Sequence, residues 1–211
     1  MKCIDRRLIG DLIALSTVEG LSVTDAAEKL CLTRQGLYKL LRHLKKEGYV
    51  AEGPAIRLTQ KGKDTLGIVL KDLLRYFNIL SIRLSGRVVS GLGEGAFYMS
   101  LEGYRRAIEQ KLGFTPYPGT LNIKLDPPSV VYKRYLDSLP GILIPGFSNG
   151  LRTYGAVKAF RAKLRDIEGA IVMPERTHHP TDVIEVIAPF KLREILGLRD
   201  GDRVEIEIYL E

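Results

Sequence analysis

The chain has 211 residues, 45% of them hydrophobic and 27% charged, with a formal net charge of +7. That is room for two domains of ordinary soluble composition. No apolar run approaches a membrane span, and Lys2, Asp5, Arg6 and Arg7 stand where a signal peptide would need an apolar core, so the expected location is cytoplasmic with no membrane partner. Cys3 and Cys31 lack zinc spacing and are read as free thiols, Cys31 as a core residue between Leu30 and Leu32. Positive charge is uneven: residues 1–80 hold 14 Lys and Arg against 9 Asp and Glu, and residues 81–211 hold 18 against 16. The first part is the better match to a polyanion.

Ile4, Leu8, Ile9, Leu12, Ile13 and Leu15 predict an amphipathic helix over 4–16, ended by Glu19-Gly20. Thr24 is the expected N-cap of a short helix from Asp25 to Leu30. After a tight connection at Cys31-Leu32, Thr33 caps a third helix to about Lys46. That helix gathers Leu37, Leu40, Leu41 and Leu44 on one stripe. Its other face carries Arg34, Gln35, Tyr38, Lys39, Arg42, Lys45 and Lys46, with no acid before Glu47. Two short helices around a tight turn, the second basic outward, form the helix-turn-helix pattern. Residues 49–51 and 55–58 pair as a hairpin around Glu52-Gly53-Pro54, and Leu58-Thr59-Gln60-Lys61-Gly62 opens a helix to about Phe77.

Residues 4–77 resemble winged helix-turn-helix regulators, in which an L-T-x-K-G segment commonly follows the wing. The resemblance implies double-stranded DNA as a partner. Arg34, Gln35, Tyr38 and Lys39 would lie near base edges, and Arg42, Lys45 and Lys46 near phosphates. Analogy with such regulators also suggests a homodimer. The plainer alternative is a helical interaction domain with a solvated charged face.

The boundary is expected near Leu80, giving domains 1–80 and 81–211. The second has strand patterns at 80–90, 154–164, 170–173, 183–187 and 203–210, with a turn at 166–169 before the third of these. Helices are expected only near 102–112, 129–139 and 191–196. This reads as a mostly β domain, a small barrel, and makes the whole chain α+β.

Three motifs could carry chemistry. Gly91-Leu92-Gly93-Glu94-Gly95-Ala96 follows a strand, and glycines let backbone N–H groups approach a phosphate. It matches G-x-G-x-x-A, but no helix is expected at Phe97–Ser100 and Glu109 lies in a helical run, so the dinucleotide reading is rejected. A plain hairpin glycine cluster remains open. In Pro116-Tyr117-Pro118-Gly119-Thr120-Leu121-Asn122, Thr120 and Asn122 share a strand face and offer neutral oxygens suited to Mg²⁺, or form a polar pair facing solvent. The third motif runs from Pro174 through Thr177, His178 and His179 to Glu185 and then Phe190-Lys191-Leu192-Arg193. The two histidines lack the further ligands zinc needs. Glu185, inside an apolar strand, either points inward and needs a partner or a function, or points outward in simple alternation. There is no Walker A sequence.

Taken in order, GLGEGAFYMSLEGY, PYPGTLNIKL, DIEGAIVMPERTHHPTDVIEVIAP and FKLREILGLRDGDRVEIEI resemble the archaeal CTP-dependent riboflavin kinases over about residues 83–210. The resemblance implies a cradle-loop barrel and the reaction of CTP with riboflavin to give CDP and FMN. It implies nucleotide contacts at Gly91, Leu92, Gly93, Glu94, Gly95, Ala96, Phe190, Lys191, Leu192 and Arg193. It further implies Mg²⁺ at Thr120 and Asn122 and flavin contacts at Thr177 and Glu185, with Glu185 as the candidate base. A fused winged helix resembles archaeal proteins that join this kinase to control of riboflavin genes. A regulator that senses CTP or flavin without turnover is the alternative.

Overall fold

The computed structural model describes residues 5–91, 93–148, 150, 152–174 and 182–210. The chain divides into two compact units, Met1–Tyr76 with Ser138–Pro140, and Phe77–Asp137 with Gly141–Glu211.

The first unit is built from α1 (Arg6–Ser16), α2 (Val23–Lys29), α3 (Arg34–Lys46) and α4 (Gln60–Tyr76). Asp5 caps α1 through the Arg7 amide, and Thr33 caps α3 through the Gly36 amide. The cap of α2 is Ser22, not Thr24: its hydroxyl accepts from the Asp25 amide and donates to the Asp25 carboxylate. That reciprocal pair satisfies two groups at once, which Thr24 inside the first turn cannot do. Cys31 is also not in the core. It sits exposed at the α2–α3 turn with φ of 53°, and the tight reversal at that left-handed residue turns its side chain to water. Leu12, Leu15, Ala26, Leu37, Leu41 and Leu44 pack with Val50, Ile56 and Leu58 from the segment after α3. Each fully buried Leu contributes about 1.5–3 kcal/mol. The expected hairpin is present as a bridge between Val50 and Leu58, and Ala55 bridges Ser22 at the start of α2.

The second unit is organised on β1 (Ser81–Val89), β2 (Leu121–Leu125), β3 (Ile142–Ile144), β6 (Val157–Leu164), β7 (Ile167–Pro174), β8 (Val183–Ile187) and β9 (Arg203–Tyr209). The short β4 (Phe147–Ser148) and β5 (Thr153–Tyr154) pair with each other. The sheet runs β3-β6-β7-β8-β2-β1-β9, and a further β6–β9 pairing closes it into a ring, all antiparallel. Strand alternation sends Leu84, Val88, Ile123, Leu164, Ile184, Val186, Ile206 and Ile208 to one buried face, the barrel interior.

The opposite face carries Ala159, Ala170, Val172 and Ile187. It is covered by Met99 of α5 (Glu94–Ser100) and by Tyr104, Ala107, Ile108 and Leu112 of α6 (Glu102–Leu112). The helix α5 corrects the expectation that 97–100 is not helical. Its Gly and aromatic content gives weak propensity, and burial of Met99 supplies what propensity does not. Topology excludes the dinucleotide fold: β1 meets β2 antiparallel, so no parallel βαβ unit follows the glycine loop. The expected turn at 166–169 is shorter. Leu164 pairs with Ile167, leaving Arg165-Asp166 as the reversal, and Gly169 belongs to β7. Its backbone lies so close to the Ile187 carbonyl of β8 that a Cβ would not fit, a strand glycine set by close approach and not by turning. The remaining helices are α7 (Pro127–Ser138) and α8 (Leu192–Ile195).

Candidate active site

The covered face turns polar at one end. In the β1–β2–β8 ladders Val89 pairs with Asn122, and Asn122 pairs with Glu185. Thr120, one residue before β2, donates its hydroxyl to Glu185 Oε1 at 3.1 Å. Asn122 Nδ2 faces Thr120 Oγ1 at 3.5 Å. Glu185 is therefore directed away from the barrel interior but not toward open solvent: it is half-buried beneath neighbours from β2.

Asn122 is 6% exposed, and its Oδ1 has no hydrogen-bond partner among the described residues. The orientation follows from the donor count. Thr120 has one hydroxyl proton, which goes to Glu185, so its oxygen accepts from Asn122 and fixes the amide nitrogen there. The carbonyl oxygen is then aimed elsewhere. Burying an unsatisfied carbonyl costs about 1–3 kcal/mol, which a ligand that binds it would recover.

The loop after β1 closes over this pair. A Cβ at Gly91 would collide with the Asn122 amide, and one at Gly95 would collide with the Thr120 hydroxyl. Gly93 takes φ of 82°, a left-handed turn leading into α5. Gly91 and Gly95 are thus glycines because the backbone touches the polar pair, and Gly93 because of its conformation. Leu92 and Thr177, like His178 and His179, lie outside the described residues. Glu94 and Ala96 are exposed on the first turn of α5.

The 190–193 segment approaches the root of the same loop. Phe190 is exposed and Leu192 is buried in the core. Lys191 is paired with Glu194, whose carboxylate holds the ammonium above its ordinary pKa. Arg193 donates Nη2 to the Val89 carbonyl at 2.8 Å and pairs Nη1 with Asp200 Oδ1 at 2.7 Å. Ser90 donates to the other oxygen of Asp200 at 2.6 Å. Hydrogen bonds from Ser90 and Arg193 hold the Asp200 carboxyl below the usual carboxylate range. Ser90 and Asp200 were not singled out from the sequence. The only signal was their position, one beside Gly91 and the other in the Asp200-Gly201-Asp202 turn.

On α3, Arg34, Gln35, Tyr38, Lys39, Arg42 and Lys46 are all exposed. Lys45 differs: it is half-buried and pairs with Glu52 at 2.8 Å. Among the described residues no helix is long and apolar enough to cross a membrane, and no cluster of His, Cys, Asp and Glu could hold a metal.

Comparison with known proteins places the chain in a family. The family model for CTP-dependent riboflavin kinase (CTP-dep_RFKase, Domain of unknown function DUF120) matches residues 88–208. The chain is 75% identical over 210 residues to a riboflavin kinase of Pyrobaculum aerophilum, covering 100% of both chains. It is 44% identical over 206 residues to the riboflavin kinase of Archaeoglobus fulgidus, covering 93% of this chain and 87% of that one. A riboflavin kinase of Ignicoccus hospitalis is 44% identical over 169 residues, with 80% of this chain and 89% of that one covered. A crystal structure of T. acidophilum IdeR matches at a TM-score of 0.26 and 14% identity over 89% of this chain and 100% of that one, too distant to bear on the fold. With the family model covering most of the barrel unit and relatives matching along its whole length, the chain belongs to the CTP-dependent riboflavin kinase family.

Proposed function

We propose that this chain transfers the γ-phosphoryl group of CTP to the 5′-hydroxyl of riboflavin, giving FMN and CDP, with Mg²⁺ as its metal. The observation that carries the reading is the buried, unpartnered Asn122 Oδ1, set beside Thr120 and Glu185 under a glycine loop.

The donor set fits a hard cation. Thr120 Oγ1 and Asn122 Oδ1 are neutral oxygens, and Mg²⁺ binds such groups together with substrate phosphates and water. When bound, it neutralises charge on the phosphate oxygens during transfer. The chain's own residues do the rest. The backbone of Gly91–Ala96 lies against the phosphates, with glycine giving close approach. Phe190–Arg193 meets the cytidine nucleotide: Phe190 offers an exposed ring, whereas Leu192, being buried, contributes main-chain groups. Glu185 orients the riboflavin 5′-hydroxyl and accepts its proton as phosphorus is attacked. The Thr120 hydroxyl on Oε1 fixes the plane of that carboxylate. Thr177 completes the flavin contacts.

The test is FMN formation from riboflavin and Mg²⁺ with each nucleoside triphosphate in turn. CTP as the best donor supports the reading, and equal or better use of ATP overturns it.

The first unit is read as a duplex DNA-binding domain that regulates riboflavin genes, acting as a homodimer on a palindromic or repeated site. Support comes from the exposed Arg34, Gln35, Tyr38, Lys39, Arg42 and Lys46 along one helix, with bases met early in α3 and phosphates later. Lys45 is a weaker phosphate ligand than its neighbours because Glu52 already pairs with it. Gel-shift titration with a riboflavin-gene promoter checks this, and absent or salt-insensitive binding would leave a protein-interaction module.

A further inference from the structure

We infer that Ser90, Asp200 and the Arg193 guanidinium form a positioning latch that sets the height of the glycine loop above Asn122 and so governs CTP affinity. The inference rests on the reading of Gly91–Ala96 and Phe190–Arg193 as the two halves of the nucleotide site.

The latch is a closed circuit of short contacts. Val89 is the ladder partner of Asn122. Its carbonyl accepts from Arg193 Nη2 at 2.8 Å. Arg193 Nη1 reaches Asp200 Oδ1 at 2.7 Å, and Asp200 Oδ2 accepts from Ser90 at 2.6 Å. Ser90 is bonded to Gly91, whose backbone returns to Asn122. Both carboxylate oxygens and two guanidinium nitrogens are committed, so rotation of any member breaks a bond.

The anchor of the circuit is itself fixed. Gly201 takes φ of 90°, its amide donates to the Val88 carbonyl at 2.8 Å, and the Val88 amide donates to the Asp202 carbonyl at 2.9 Å. Arg87 reaches the Gly201 carbonyl at 2.9 Å. Asp200 therefore rides on a turn pinned to the last residues of β1. Charge-assisted bonds of this length give geometric definition, and the site needs that because small displacements of phosphate-binding groups cost rate heavily.

The Arg193 guanidinium thereby joins the loop root to the turn that carries Asp200. Asp200 and Val89 also line an open cleft of about 330 Å³, so the latch stands at the surface. Its effect is then on loop position and not on global stability. The hydrogen bonds from Ser90 and Arg193 lower the Asp200 pKa, so the carboxylate that closes the latch persists to lower pH than an unperturbed one.

The test is steady-state kinetics of Asp200→Ala and Ser90→Ala with thermal melts of each. The expected result is a rise of about tenfold in KM for CTP in Asp200→Ala and a smaller rise in Ser90→Ala. KM for riboflavin and the melting temperature should stay near wild type. Gly91→Ala, which forces the loop off Asn122, serves as the comparison because it disturbs the loop directly. Loss of CTP affinity in Gly91→Ala but not in either latch variant overturns the latch alone. Unchanged CTP affinity in Gly91→Ala overturns the loop reading beneath it. Equal losses for CTP, riboflavin and melting temperature in the latch variants would make the network a structural brace and overturn the inference.

Discussion

Along α3 the groups offered to a partner come from a single helix and stand in water, whereas around Asn122 they come from β2, β8 and the loop after β1 and lie under cover. The difference is one of chemistry. A polyanion is met by exposed cations, and releasing its counterions needs no buried polar atom. Phosphoryl transfer needs groups held in a fixed geometry, and the buried Asn122 amide, fixed by Thr120, is such a group. The first surface tolerates change residue by residue. The second is a small interlocked set in which Thr120, Asn122 and Glu185 depend on one another.

The comparison predicts sharply unequal responses. Glu185→Gln keeps size and hydrogen bonding but removes the base, so kcat should fall by about 10²–10⁴-fold with little change in KM for riboflavin, measured by FMN formation. Asn122→Ala should lower kcat by about 10²-fold and shift the Mg²⁺ titration to higher concentration, while the melting temperature changes little, because the deleted Oδ1 has no partner among the described residues and the deleted Nδ2 loses only its long 3.5 Å contact to Thr120. Donor selection should favour CTP over ATP by about tenfold or more in kcat/KM, checked by parallel turnover with the two triphosphates. The effects on α3 should be smaller and additive. Arg42→Ala and Lys46→Ala should each flatten the salt dependence of DNA affinity by about 0.9 log unit per log unit. Lys45→Ala should do less, because its charge is already shared with Glu52. Gln35→Ala and Tyr38→Ala should instead alter sequence preference in competition gel shifts.

The same contrast explains what could be read from the sequence. The stripe of Leu37, Leu41 and Leu44 opposite the basic residues of α3, and the Thr33 cap, are local periodic signals. The β-branched run of β8 and the alternation of β9 are equally local, and strands lie at both places. Thr120 and Asn122 share a face by simple strand spacing, but their proximity to Glu185 depends on a strand pairing 65 residues away in sequence. Only the resemblance joined the three. Periodicity could not place α5, whose weakly helical residues are held by tertiary burial of Met99. Nor could it show that Gly91 and Gly95 are glycines because of Asn122 and Thr120, since that depends on a closed loop and not on neighbouring residues. Cys31 misled for a related reason: flanking leucines suggested burial, but a left-handed backbone at the turn put its side chain outside.

The most direct test of the central claim is the turnover of riboflavin with CTP and Mg²⁺ by the double variant Thr120→Ala/Asn122→Ala, assayed beside a melt showing that the barrel remains folded. If these two oxygens and the glycine loop above them form the transfer centre, FMN formation should drop by about 10²-fold or more at an unchanged fold. A folded double variant that makes FMN at the wild-type rate would contradict the account.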